Sequence, residues 1–181
     1  MYTVDDLDAV QELADTPRPD IGAPLPRFLA DEGHLVLAYL ASDPDPKWDG
    51  GGISIVGPGT EGEAVVLVRF RWPTAHFFGP PNDEAFSGHP LAARGLRPYR
   101  VFEVGQSSWI RRLERMNSVH PHHDKERFLA RRRHFVFAFH DSTFECIAEG
   151  FVAETVRGSM RSVLPRMAEL LEEPHQAVER P

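Results

Sequence analysis

Two rhythms of apolar and polar residues run along this chain. One repeats every second residue, as a half-buried strand does, and the other every third or fourth, as an amphipathic helix does. The period of two is clearest from His134 onward. Phe135, Phe137 and Phe139 fall on one face, and His134, Val136, Ala138 and His140 on the other. If the turn that follows keeps the apolar faces together, Phe144, Cys146 and Ala148 continue the phenylalanine face. Glu145, Ile147 and Glu149 then join the histidine face. The pattern predicts a hairpin of His134 to Asp141 against Phe144 to Phe151. It places His140 opposite Glu145 or diagonal to it, within about 8 Å at the backbone.

Other strands are expected at His34 to Ala41, which is apolar on both faces as a central strand would be, and at Ile53–Val56, Ala64–Phe70 and Tyr99–Val104. Helical spacing appears in four places. Val4, Leu7, Val10, Leu13 and Ala14 suggest an acidic helix over 4–15. Ser107 or Ser108 can cap a helix to about Ser118, with Trp109, Leu113 and Met116 on its buried stripe. Asp124 can cap a shorter helix through Arg131. Met160, Val163, Leu164, Met167, Leu170 and Leu171 mark a last helix, which must start near Ser162 for Pro165 to sit in its first turn. Four prolines over 16–27 predict an extended linker, and Ser42–Gly52 reads as a loop. The order of elements predicts an α+β fold: a mostly antiparallel sheet of about five to six strands with helices packed on one face. Residues 1–30 read as an acidic arm and linker, and residues 31–175 as one domain.

Length and composition agree with this. The 181 residues suffice for one domain with a substantial core, and 41% hydrophobic content suits a soluble globular class. The acidic start, Met1-Tyr2-Thr3-Val4-Asp5-Asp6, lacks the basic region and apolar stretch of a secretory signal. The longest apolar run, Leu35 to Ala41, is too short to span a bilayer, so no membrane partner is expected. A single cysteine cannot form an internal disulfide, which makes a reducing cytoplasm the expected compartment.

Charge is uneven. Residues 94–133 hold eleven Lys/Arg against four acids, a net +7, whereas the whole chain carries −7. Such a block can face an anionic partner. The surplus of surrounding acid argues against nucleic acid and for solvated, Arg-bearing helices.

Several motifs dissolve on inspection. Gly57-Pro58-Gly59-Thr60-Glu61-Gly62 spells a dinucleotide loop, but a strand follows where a helix is needed, so it reads as a turn. Asp43, Asp45 and Asp49 hint at a calcium loop, yet Val56 stands where a bidentate glutamate belongs. His120-Pro121-His122-His123-Asp124 offers imidazoles without a third ligand and reads equally as a loop ending in a helix cap. Cys146 reads as a small core residue.

Two polar islands remain. One is the long segment 73–96, containing His76, Asn82, Asp83, Glu84 and His89. It can be explained by capped helical turns, with Gly95 as a left-handed terminator, or as a ligand wall. The other is His140 with Glu145, either a cross-strand pair or a carboxylate-oriented imidazole. Glu103, on a strand face with Tyr99 and Val101, is a further candidate.

Long strings in these regions, His76-Phe77-Phe78-Gly79 through Gly88-His89-Pro90-Leu91, Phe102-Glu103-Val104 with Ser108-Trp109-Ile110, and Arg133 through Cys146, resemble a family of small uncharacterised bacterial proteins, a domain of unknown function. The similarity spans roughly residues 63–151. It implies a compact bacterial domain and carries no activity or catalytic assignment.

The residues themselves therefore point to a small-molecule or metal pocket between segment 73–96 and the histidine face of the hairpin. In it His140 is the expected base or metal ligand, oriented by Glu145, and His76, Glu84, His89 and Glu103 bind ligand. A divalent transition metal on His76, His89 and His140 is the candidate cofactor. Hydrolysis or a lyase reaction would suit such groups. The alternative is a non-catalytic interaction domain whose Arg-rich helices dock an acidic protein partner.

Overall fold

The computed structural model describes residues 2–43 and 55–174, and within them the chain folds as two antiparallel sheets stacked face to face. The first contains β1 (Ala9–Glu12), β5 (Ala75–Gly79), β6 (Val101–Gly105), β7 (Arg133–Ala138) and β8 (Thr143–Ala148), in the spatial order β1-β6-β7-β8-β5. The second contains β2 (Arg27–Ala30), β3 (Leu35–Leu40), β4 (Glu63–Arg71) and β9 (Gly150–Gly158), in the order β2-β3-β4-β9. Helices α1 (Ser108–Asn117) and α2 (Lys125–Arg131) cover the outer face of the first sheet, and α3 (Leu164–Glu172) that of the second.

The alternating phenylalanines account for the stacking. Phe135, Phe137, Phe144 and Cys146 from the first sheet meet Leu37, Tyr39, Val68 and Phe70 from the second, all fully buried. Rings pack edge-on, as their quadrupoles favour: Phe70 on Phe137 with centroids 5.9 Å apart at 79°, and Phe135 on Phe151 at 4.9 Å and 80°. All six residues of β3 are buried because its second face, Val36, Ala38 and Leu40, lies under Met160, Val163, Met167 and Leu170.

This is a mixed α+β fold, but not the single sheet with helices on one face that the element order predicts. The difference arises at Glu149. β8 pairs with β7 in the first sheet, and after one intervening residue β9 pairs with β4 in the second. Period-two alternation specifies faces within a strand, not the sheet the strand will join.

The acidic helix expected over 4–15 is instead an extended arm that ends in β1, paired with β6. Its carboxylates find better partners outside a helix. Asp8 accepts the Asp5 N–H through Oδ2 at 2.9 Å and the Ser108 N–H through Oδ1 at 2.7 Å. Ser107 caps α1, accepting from the Ile110 N–H at 3.3 Å, and Asp124 caps α2, accepting from the Arg127 N–H at 2.9 Å. Met116, however, is largely exposed; the helix turns Ile110 and Glu114 inward, with Trp109 and Leu113 half-buried. Pro165 sits in the first turn of α3. The glycine string makes a turn entering β4, with Thr60 N–H bonded to the Gly57 carbonyl. The loop expected at Ser42–Gly52 and the strand at Ile53–Val56 fall largely outside the described residues.

Segment 73–96 contains β5, which pairs with β8, and then two short 3₁₀ turns, Phe86–Gly88 and Ala92–Arg94. Gly95 ends the second with φ +100°, a conformation open chiefly to glycine. These turns, with the N-terminal arm and α1, lie over the outer face of the first sheet and create the polar enclosure described next.

Candidate functional site

Glu145 projects from the middle of β8 onto the helix-covered face and is 0% exposed. β7 and β8 pair Val136 with Glu145, so His134 is its diagonal neighbour on the same face. Tyr2 donates its hydroxyl to Glu145 Oε2 at 2.5 Å, and His134 Nε2 lies 2.9 Å from the same oxygen. His134 Nδ1 is 2.9 Å from Ser107 Oγ, which links the network to the cap of α1. On the other side His89 Nε2 stands 3.4 Å from Oε1. The Leu91 N–H donates to His89 Nδ1 at 3.1 Å, so that nitrogen carries a lone pair. The ring proton therefore sits on Nε2, facing the carboxylate.

The 3.4 Å approach falls outside good hydrogen-bond geometry, and both His89 Nε2 and Glu145 Oε1 are buried without a hydrogen-bond partner. Burial alone would push the Glu145 carboxyl up. Hydrogen bonding from His134 and the Tyr2 hydroxyl, together with the His89 N–H facing the carboxylate from 3.4 Å, overcomes it and holds the group down at about 2. Burial and the Glu145 charge push the Tyr2 phenol far upward, so it remains a donor.

Glu145 also borders a cleft of about 260 Å³ between α1 and the β5–β8 edge, walled by Tyr2, Phe77, Trp109, Arg112 and Leu113. Tyr2 and Trp109 stack with centroids 5.3 Å apart and planes within 8°, and both rings meet His134 edge-on. The result is an aromatic recess with a buried anion at its base and a guanidinium at its rim.

His140 belongs to a separate cluster. Phe139 N–H bonds to the Ser142 carbonyl at 2.9 Å, making His140 and Asp141 the tip of the hairpin and shifting every cross-strand partner from the expected register. His140 is therefore neither opposite nor diagonal to Glu145. Its Nδ1 lies 3.1 Å from Asp83 Oδ2 and 3.0 Å from the Tyr99 hydroxyl, and Tyr99 also donates to Asp83. The Tyr99 bond and the His140 charge draw Asp83 below its usual range. Burial, then Asp83, pushes Tyr99 up to about 12. Tyr99 holds φ +60°, unusual for a tyrosine. The His140 side chain is 40% exposed.

The other expected residues disperse. His76 pairs with Cys146 on β8 and packs its ring on Phe28 and Phe144, the face opposite Glu145, although it borders the cleft from the sheet edge. Burial lowers its basicity. Glu84 is exposed on the loop before the first 3₁₀ turn. Glu103 pairs with Arg133, on the sheet face of Val101. Of the set anticipated around Glu145, the fold thus brings His89 beside the carboxylate and His76 to the rim of its cleft, and places Glu84, Glu103 and His140 elsewhere. Among the described residues no three His, Cys, Asp or Glu side chains are grouped to hold a metal ion. In the histidine-rich loop, His123 Nε2 lies 2.9 Å from the buried Glu114 Oε1, which explains that residue structurally.

Tyr2, Ser107 and His134 complete the Glu145 network, and sequence reasoning assigned none of them there. Face parity was the available signal for His134; Tyr2, 143 positions away, offers none. No helix among the described residues is long and apolar enough to cross a membrane. No protein-family model matches the chain, and neither does any curated protein or solved structure.

Proposed function

We propose that the protein binds a small molecule in the cleft at Glu145, using that carboxylate to accept hydrogen bonds from the ligand. The observation that carries this reading is Glu145 Oε1: a buried carboxylate oxygen, on a residue bordering the cleft, with no hydrogen-bond partner. An ionised carboxylate has room for about four hydrogen bonds, and leaving one oxygen unmet in low dielectric costs about 1–3 kcal/mol or more. A ligand amine or hydroxyl group would relieve it. The Tyr2–Trp109 stack would hold an apolar or planar body beside that group.

Binding rather than catalysis is favoured because a carboxyl held down at about 2 is a weak base near neutrality. A catalytic reading has one observation of its own, at His140. Asp83 and Tyr99 anchor Nδ1, and a general base of hydrolase or lyase type would then act through Nε2.

The test is a thermal-shift and calorimetric screen of small amines, alcohols and amides against the full chain. Donor-bearing compounds should raise Tm, by the equivalent of about 2.7 kcal/mol at a hundredfold excess over Kd. The shift should vanish in Leu113→Trp, which fills the cleft and keeps Glu145. Equal shifts in that variant, or none in the parent protein, would rule the reading out.

A further inference from the structure

The Glu145 cleft does not end at Arg112. Arg112 and Met116 also line a second groove of about 510 Å³ on the same face of α1, which is bordered further by Thr3, Asp5, Ser108, Arg111 and Arg115. Three guanidinium groups rise along it. Arg111 and Arg115 stand four residues apart and Arg112 and Arg115 three, so all are surface neighbours on the helix. Asp5 engages Arg111 at 2.5 Å, whereas the exposed Arg115 has no acidic partner among the described residues.

A second observation comes from Ser108. It is 6% exposed, and its Oγ is buried with no hydrogen-bond partner while the residue lines the groove. Its backbone N–H is already taken by Asp8, whereas its hydroxyl is unmet. Apart from Asp5, the polar side chains here are hydroxyls and guanidinium groups, which can all donate. A donor-rich pocket calls for an acceptor-rich ligand, and a phosphoryl group offers three acceptor oxygens and up to two negative charges. Planar guanidinium forks match it bidentately, and its position by the start of the helix adds a favourable field.

We infer that this groove holds the phosphate of a small phosphate monoester whose other end carries the donor group received by Glu145. The inference rests on the binding role proposed for Glu145 and names the ligand class: a phosphorylated amine or alcohol with a short apolar body. The phosphate would lie against Arg112, Arg115 and Ser108, and the body would run past Met116 toward the Tyr2–Trp109 stack.

Calorimetry and phosphorus NMR on the full chain test it, with three probes: inorganic phosphate, simple alkylamines, and aminoalkyl phosphates of increasing chain length. Inorganic phosphate should bind weakly, and at one chain length the joined probe should bind far more tightly than either part. Arg115→Ala, at an exposed position, should weaken phosphate by about tenfold, the equivalent of one charge-assisted bond. Ser108→Ala should do the same without loss of Tm. Neither should alter amine binding, which Leu113→Trp should abolish. Phosphate binding unchanged in both Arg115→Ala and Ser108→Ala would overturn the phosphate groove and leave the Glu145 reading intact. Phosphate binding lost in those variants, with no amine binding in the parent protein, would keep the groove but overturn the joined ligand. Equal affinity for acetate or for an acidic peptide would also overturn it, marking a diffuse basic face.

Discussion

Tyr2 and Glu145 lie 143 positions apart in sequence and share a buried 2.5 Å hydrogen bond at the base of the cleft. The bond ties the N-terminal arm to the centre of β8 and closes one wall of the cleft.

Removing that donor should be felt throughout the domain. A hydrogen bond to a buried charge contributes about 1.5–3 kcal/mol, so Tyr2→Phe should lower unfolding free energy by that order. Urea titration should show a reduced midpoint with an unchanged slope. An unaltered midpoint would mean that the arm is not docked.

Acid should expose the same carboxylate. Glu145 is held at about 2 in the folded protein against an ordinary 4.5. Its folded value is depressed, so its contribution is complete above about 4.5 and is lost as pH falls toward 2. That difference corresponds to a contribution on the order of 3 kcal/mol. Stability measured across this window should fall steeply in the parent protein and more gently in Glu145→Gln.

Every tyrosine should resist ionisation. Burial raises Tyr2 and Tyr39 far above 10, and burial together with Asp83 lifts Tyr99 to about 12. A near-ultraviolet alkaline titration should therefore show almost no phenolate at pH 10 in the folded state. Asp83→Asn should restore one phenol toward its ordinary value, and failure to do so would separate Tyr99 from Asp83.

Cys146 should be inert. It is fully buried against the phenylalanine layer, and burial pushes its thiol well above the usual range. Thiol reagents should modify it only on unfolding. Rapid labelling of native protein would contradict the packing between the sheets.

How far the sequence spoke can be judged at the hairpin. Alternation placed Glu145 and His134 on one face and the phenylalanines with Cys146 on the other, as the structure has them. The turn was not legible. Placing its tip at His140-Asp141 rather than two residues later preserves parity but shifts each cross-strand partner by four, which parts His140 from Glu145. Capping chemistry was readable at Ser107 and Asp124, where the signal is local. The arm was misread because its alternatives are both local and apolar, while its real partners, Ser108 and Glu145, are distant in sequence. Likewise β5 and β9 carry no mark of the sheet each enters.

The crossing at Glu149 also has a consequence for how the protein comes apart. β8 and β9 are one almost unbroken run, and each is hydrogen-bonded into a different sheet. Neither sheet can lose its segment of that run without pulling on the other, so the Glu145 face and the layer beneath α3 have no independent melting point. Calorimetric and van't Hoff enthalpies should therefore coincide in a single transition.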